Sequence, residues 1–177
     1  LDLLVRFPRG AAKLPTSIRP ADIPIPCELE WVSTEDGLKE ATLWTGNFRR
    51  ATTSVTLIHR GVRLCDTDLP DAEPDLGEGP FLHEPDPALI RSGLLGRKAA
   101  SLGMRLLDRS IAYTFSDSPV RDPFFTSWRV LRAFPFGMKR LERELADLDA
   151  GTVTIKKRGF PLAPEEVVRS LRLAGST

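Results

Sequence analysis

The run Lys156-Lys157-Arg158-Gly159-Phe160 closes an alternating segment, Thr152-Val153-Thr154-Ile155, with three consecutive cations and a glycine. On an extended chain neighbouring side chains point to opposite faces, so at most two of the three charges project together unless the strand ends there. Gly159 lets the backbone turn and present amide N–H groups beside the charges, a combination suited to phosphate oxygens. The segment before it adds Lys139, Arg140 and Arg143, interleaved with Glu142, Glu144 and Asp147. The other reading of the same residues is a solvated strand end next to a mixed-charge helix.

Other reactive chemistry finds less support. His59 and His83 are far apart and neither has a cysteine or histidine at metal-ligand spacing, so no metal is expected. Cys27 and Cys65 form no C-x-x-C pair, and no nucleophile–histidine context surrounds either. No G-x-G-x-x-G follows a strand and no G-x-x-x-x-G-K-[ST] occurs, so no nucleotide-phosphate cradle is expected. The acidic run from Asp66 to Pro80 lacks the spacing of a calcium loop and reads as a solvating connector. Trp31, Trp44 and Trp128 each lie on an alternating segment, where core packing competes with base stacking.

The elements that must position these residues are legible in part. Leu1-Asp-Leu-Leu-Val-Arg-Phe reads as a helix end stopped by Pro8 and Gly10, and Ala11 to Ile18 as a short strand. Cys27-Glu-Leu-Glu-Trp alternates with period two, placing Cys27, Leu29 and Trp31 on one face and Glu28 and Glu30 on the other. After a Glu35-Asp36-Gly37 turn the chain returns through Leu38 to Trp44, predicting a hairpin over about 27–45. Two Thr/Val-rich segments, Ala51–Ile58 and Gly61–Leu64, predict further strands. Asp86-Pro87 is an N-cap followed by proline, predicting a helix with Leu89, Ile90, Gly93 and Leu94 inward. A second helical stretch runs from Gly96 to Met104, and Ile111–Phe115 predicts a strand. Phe125–Phe134 predicts a strand, Met138, Leu141, Leu145 and Leu148 an amphipathic helix, Thr152–Arg158 a strand, and Pro164 a final helix start. That order implies a βαβα layer with helices on one face of a sheet.

The chain has 177 residues, with 25 Lys+Arg against 24 Asp+Glu and 41% hydrophobic residues. This excludes a disordered tail and a uniformly basic arm. The net charge of +1 is a cancellation. Residues 64–90 hold eight acidic residues and no Lys or Arg, whereas residues 91–177 hold sixteen basic and nine acidic ones. A domain boundary is therefore expected in the stretch 66–80. No apolar run reaches membrane-spanning length and no signal peptide is visible, so the expected compartment is the cytoplasm. A chain opening on Leu1 and ending on Leu173-Ala-Gly-Ser-Thr reads as a piece of a longer protein.

Several runs resemble a family of bacterial class I S-adenosylmethionine-dependent methyltransferases with a THUMP-like domain. Phe81-Leu-His-Glu-Pro-Asp-Pro-Ala-Leu-Ile-Arg-Ser-Gly resembles the family's YEPDPAVIRAG signature. Ile111-Ala-Tyr-Thr, Trp128-Arg-Val-Leu, Phe134-Pro-Phe-Gly-Met-Lys-Arg-Leu, Thr154-Ile-Lys-Lys-Arg-Gly-Phe and Leu171-Arg-Leu-Ala-Gly are further matches. Upstream, Cys27-Glu-Leu-Glu-Trp-Val-Ser and Lys39-Glu-Ala-Thr-Leu-Trp resemble the hairpin closing the methyltransferase sheet. Ala12-Lys13-Leu14-Pro15 resembles a VKLAPGI strand but lacks its glycine.

The resemblance implies an α+β chain. Residues 1–65 would be the last strands of a Rossmann-like methyltransferase sheet, 66–80 an acidic linker, 81–118 a small ferredoxin-like segment, and 122–177 a THUMP-like domain without its last strand. It also implies that the glycine loop for S-adenosylmethionine and the catalytic motif precede the segment equivalent to Leu1. The chain alone would then bind no cofactor and have no catalytic residues. Its expected partners are RNA, above all tRNA, and its own N-terminal methyltransferase domain. Lys139, Arg140, Arg143, Lys156, Lys157, Arg158 and Gly159 would be the RNA-contacting positions. The rival expectation is a structural module that docks on the catalytic domain or another subunit.

Overall fold

The computed structural model describes residues 9–157, 160–173, 175 and 176. The helix end expected over Leu1–Phe7 lies outside them. The chain divides into two compact units, one reaching to Val130 and one from Leu131 onward. The architecture is α+β with two sheets, both in the first unit.

The first sheet comprises β1 (Arg9–Leu14), β2 (Glu28–Thr34), β3 (Gly37–Gly46), β4 (Thr53–Leu57) and β5 (Val62–Cys65), in the order β1-β3-β2-β4-β5. β2 and β4 are parallel, and every other neighbouring pair is antiparallel. The predicted hairpin is β2–β3. Thr34 faces Gly37 across a Glu35-Asp36 link, and Gly37 sits at φ +96°, a conformation that needs glycine. Lys39 is skipped in the register, so a bulge separates Val32 from Ser33.

One face of this sheet presents Leu29, Trp31, Leu43, Val55 and Leu57, all essentially inaccessible to water. The short helix α1 (Pro87–Arg91) packs on β2, β3 and β4 from that side. It starts where the sequence predicts, with the Ala88 amide donating to the Asp86 carboxylate at 2.8 Å and Pro87 in the first turn.

The second sheet holds β6 (Phe81–Pro85), β7 (Arg105–Asp108), β8 (Ile111–Ser116) and β9 (Phe125–Arg129), in the order β7-β8-β6-β9. All its neighbours are antiparallel, so β6 and β7 run the same way with β8 between them. α1 and α2 (Leu95–Ser101) make the crossover between β6 and β7. Leu89, Leu94, Ala99, Met104, Phe124 and Phe125 join Trp31 and Leu43 in a single apolar core.

The stretch 66–80 is not where the compact units divide, since the division falls after Val130. Its carboxylates face solvent, but Arg97 donates to the carbonyls of Asp66, Leu69 and Pro70, Leu69 is buried, and Leu76 bridges to Leu106. The strand expected over Phe125–Phe134 stops at Arg129. Thr152–Lys157 belongs to no strand, and Arg158 lies outside the described residues. In the second unit the described regular elements are the helices α3 (Met138–Asp147) and α4 (Pro164–Ser170), so the described residues form no βαβα layer there. Val153 and Ile155 are half-buried while Thr152, Thr154 and Lys156 are exposed. The alternation is therefore present without a ladder among the described residues.

Candidate nucleic-acid interface

The basic residues of the second unit occupy two places. Lys156 and Lys157 line an open cleft of about 480 Å³, whose other walls are Phe136, Leu141, Leu145, Val153 and Ile155. Phe136 and Phe160 meet edge to face there, with ring centres 4.7 Å apart. Lys139, Arg140 and Arg143 sit on α3 but do not line that cleft. At 100° per residue, Lys139 and Arg143 fall on the side of the helix opposite Leu141 and Leu145. Arg158 and Gly159 lie outside the described residues. The seven candidates are thus not gathered into one surface.

Internal partners tie up part of this charge. Glu144 receives Arg132 at 2.5 Å and has Arg140 and Arg143 at 3.6 Å each. The hydrogen bond from Arg132 holds the Glu144 carboxyl below the usual carboxylate range. Arg132 also reaches Asp147 at 3.5 Å, and the Arg140 guanidinium lies over the Phe134 ring at 5.0 Å. Lys139 and Lys157 are exposed and have no ion pair among the described residues. Lys139 and Lys157, in two separate places, are the cations of this set that remain able to meet a phosphate without giving up an ion pair among the described residues.

The first unit contains a polar constellation that sequence alternation alone did not reveal. Glu28 is fully buried and Glu30 nearly so. One Glu28 oxygen accepts from Ser54 Oγ at 2.5 Å and from Arg63, and the other accepts the amides of Arg50 at 2.8 Å and Ala51 at 3.2 Å. Glu30 accepts from Thr56 Oγ1 at 2.5 Å and Trp44 Nε1 at 2.7 Å. Burial alone would raise the Glu28 pKa. Ser54, the Arg50 amide and the Arg63 charge outweigh it and hold the carboxyl below its ordinary value. Every oxygen in the pair is satisfied, which makes this a structural clamp across β2, β4 and β5. The signal that could have found it is the period-two placing of Ser54, Thr56 and Arg63 on neighbouring strands.

The histidines and cysteines do no visible chemistry. His59 is exposed, and burial pushes the Cys27 and Cys65 thiols up, away from thiolate reactivity. Among the described residues no group of three or more His, Cys, Asp or Glu is placed to hold a metal. No helix among them is long and apolar enough to cross a membrane.

His83 is fully buried in β6, with Nδ1 2.7 Å from Ser127 Oγ and Nε2 2.7 Å from Ser116 Oγ. The Val120 and Ser118 carbonyls lie within hydrogen-bond reach of these hydroxyls, so with a neutral ring one hydroxyl accepts from the ring and donates onward while the other donates to the ring. Burial lowers the His83 pKa, so the ring is neutral in the fold and charges more readily when unfolded. The unfolded chain therefore binds more protons, and stability falls as pH drops below the unfolded value of about 6.5. Melting curves from pH 7.5 to 5.5 should show a loss of stability that His83→Gln removes. An identical pH slope in the variant would show that His83 does not carry it.

Residues 125–177 match the family model of the THUMP domain-like family. The match begins in β9, the edge strand of the second sheet, and so takes in the last strand of the first unit as well as the second unit. Two Mycobacterium tuberculosis proteins, both described as uncharacterized S-adenosylmethionine-dependent methyltransferases, are 33% identical over 155 residues. The aligned region covers 84% of this chain and 41% of theirs. A Porphyromonas gingivalis crystal structure described as that of a candidate methyltransferase superposes with a TM-score of 0.74 at 18% identity. That likeness covers the whole of this chain and 49% of the other, and concerns the fold. The chain thus spans less than half the length of these relatives. The chain is thus similar in sequence to proteins described as S-adenosylmethionine-dependent methyltransferases, and its likeness in fold is to a structure described in the same terms.

The cofactor implied by these relatives can be tested against the residues present. Such a site needs a glycine-rich turn leading from a sheet strand into a helix. In the first sheet β5 runs into a short 3₁₀ turn at Asp66–Asp68, and the other described strands are joined by hairpins and loops. β6 does lead into a helix, but through Asp86-Pro87 without a glycine. The described residues do not fit S-adenosylmethionine.

Proposed function

We propose that this chain is the substrate-recognising, non-catalytic part of an S-adenosylmethionine-dependent RNA methyltransferase, and that its RNA is a tRNA. The observation that carries this reading is the THUMP-like match over residues 125–177, on which the exposed cations Lys139 and Lys157 lie. The cofactor and catalytic groups are then supplied by a methyltransferase domain elsewhere in the parent protein, in the cytoplasm. In this reading residues 1–65 are the end of the methyltransferase sheet and 66–80 the acidic linker. The β7-β8-β6-β9 order, two parallel strands split by an antiparallel one, supports a ferredoxin-like segment over 81–118. Residues 122–177 form the THUMP-like domain.

A second reading, a docking module, is favoured by one specific observation. The cleft beside Val153–Lys157 is mostly apolar, and Phe136, Phe160 and Leu162 are exposed around it.

Titration of the chain with unfractionated tRNA over a salt series separates the two. Phosphate recognition predicts an association constant that falls linearly on a log–log plot with rising salt. Replacing Lys156 and Lys157 by alanine should reduce that slope by about two. Absence of binding at low salt, or a slope unchanged in the variant, would favour docking.

A further inference from the structure

A second cleft, of about 500 Å³, opens on the first unit between the turn Ile58–Arg60 and the segment leading into β9. Arg60, Arg121, Asp122, Pro123, Thr126 and Ser127 form most of its lining. Arg60 ends its 3₁₀ turn just before Gly61, whose φ of +63° and amide bond to the Ile58 carbonyl fix the turn. Its Nε meets His59 Nε2 at 3.2 Å, which leaves the two terminal nitrogens of the guanidinium available. Arg121 is exposed and forms no ion pair with the described residues.

The carboxylate in the lining does not cancel these charges. Asp122 is held by Lys98 at 2.7 Å and accepts the Phe124 amide at 2.9 Å, so its charge is already matched. Two guanidiniums remain. Most other guanidiniums here have internal acceptors: Arg63 meets Glu28, Arg105 meets Asp117, and Arg97 meets three carbonyls. The wall of the cleft is also rigid. The Ser127 hydroxyl lies 3.0 Å from the Val120 carbonyl oxygen and is tied from below to the buried His83. Thr126 adds an exposed hydroxyl, and Val120 and Pro123 add an apolar flank.

We infer that this cleft receives a phosphodiester of the bound RNA, with Arg60 and Arg121 on its oxygens and Thr126 as an additional donor. The inference deepens the RNA-recognition reading and rests on it. Guanidinium forks match phosphate oxygens bidentately, and a fixed wall spares the ordering cost of a mobile loop. It also extends recognition beyond the THUMP-like match, since Arg60 and Arg121 both precede residue 125.

The experiment compares the full chain with Arg60→Ala/Arg121→Ala, titrating unfractionated tRNA at several salt concentrations. Both side chains are exposed, and equal melting temperatures will confirm that the fold is kept. Loss of two phosphate contacts lowers the log–log slope by about two, so the advantage of the unmodified chain shrinks roughly tenfold when salt is raised fourfold. Lys39→Ala, which removes a cation already paired with Asp36 at 3.2 Å, leaves the slope unchanged. If the unmodified chain binds tRNA and the double variant binds it with the same affinity and slope, the cleft is not an RNA contact, while the recognition reading stands. If the unmodified chain binds no tRNA, that reading fails and takes this inference with it. Titration with inorganic phosphate in place of tRNA, read from arginine side-chain NMR signals, distinguishes the other source of the same chemistry. Saturation of Arg60 and Arg121 by free phosphate, without competition from tRNA, overturns the polymer assignment.

Discussion

Glu28→Ala is expected to lower the unfolding free energy of the first unit by about 3 kcal/mol, a drop of roughly 10 °C in melting temperature. The side chain is wholly buried, yet each of its oxygens is held by two donors drawn from β4, β5 and the loop before β4. Truncation leaves Ser54 Oγ, the Arg50 and Ala51 amides and the Arg63 guanidinium facing a gap, and unpaired buried donors are what make such changes costly. Arg63 is 35% exposed, so water recovers part of its loss, and the expected figure is at the lower end for a broken buried pair. Glu28→Gln keeps the shape and one carbonyl acceptor and is expected to cost less. The two variants also separate charge from shape in their pH dependence. Because the folded carboxyl is held below its ordinary value, its contribution is complete above the unfolded pKa of about 4.3 and disappears as pH falls through the lower folded value. Acid melts of the unmodified chain should therefore steepen below about pH 4.5 relative to Glu28→Gln. Parallel acid transitions for the two would show that the carboxylate charge contributes nothing to the fold.

The same cluster marks the limit of what a linear reading reaches. The alternation of Cys27 to Trp31 correctly assigns two faces, because side-chain direction on a strand is a local property. It does not say that both faces are covered. The groups that make burial of Glu28 tolerable lie 26 and 35 residues away, at Ser54 and Arg63, and meet it only through the parallel β2–β4 and antiparallel β4–β5 pairings. Asp86-Pro87 is legible for the opposite reason, since an N-cap and its partner amide are two residues apart. In the stretch 66–80 the side chains are acidic and exposed while its attachment to the unit runs through carbonyls, which composition does not reveal. Thr152–Lys157 has the pattern of a strand, but a strand needs a neighbour, and none of the described segments pairs with it. The cationic candidates show both sides of the problem. Lys156 and Lys157 share a cleft because they are adjacent, α3 turns Lys139 and Arg143 to its other side, and Arg60 and Arg121 come together from segments that no spacing rule links.

Trp31 gives the second large effect, and its two substitutions point in different directions. The indole is inaccessible at the centre of the first sheet, where α1 and the second sheet complete its surroundings. Trp31→Ala removes the largest side chain of the core and is expected to cost about 3–5 kcal/mol. Yet Trp31 Nε1 has no hydrogen-bond acceptor among the described residues, and a buried unpaired N–H is itself unfavourable by about 1–3 kcal/mol. Trp31→Phe loses ring area but also removes that donor, so it is expected to stay within about 1 kcal/mol of the parent. Trp44 provides the contrast on the opposite face of the sheet. Its Nε1 donates to Glu30 at 2.7 Å, so Trp44→Phe leaves a buried carboxylate short of a partner and should cost more than Trp31→Phe despite the smaller burial of its ring. Chemical denaturation of the three variants measures the order directly. A Trp31→Phe loss as large as that of Trp31→Ala would mean that the indole N–H has an acceptor after all. The expected order assigns Trp31 to apolar filling and Trp44 to the polar clamp, which leaves neither ring free as a platform for a stacked base.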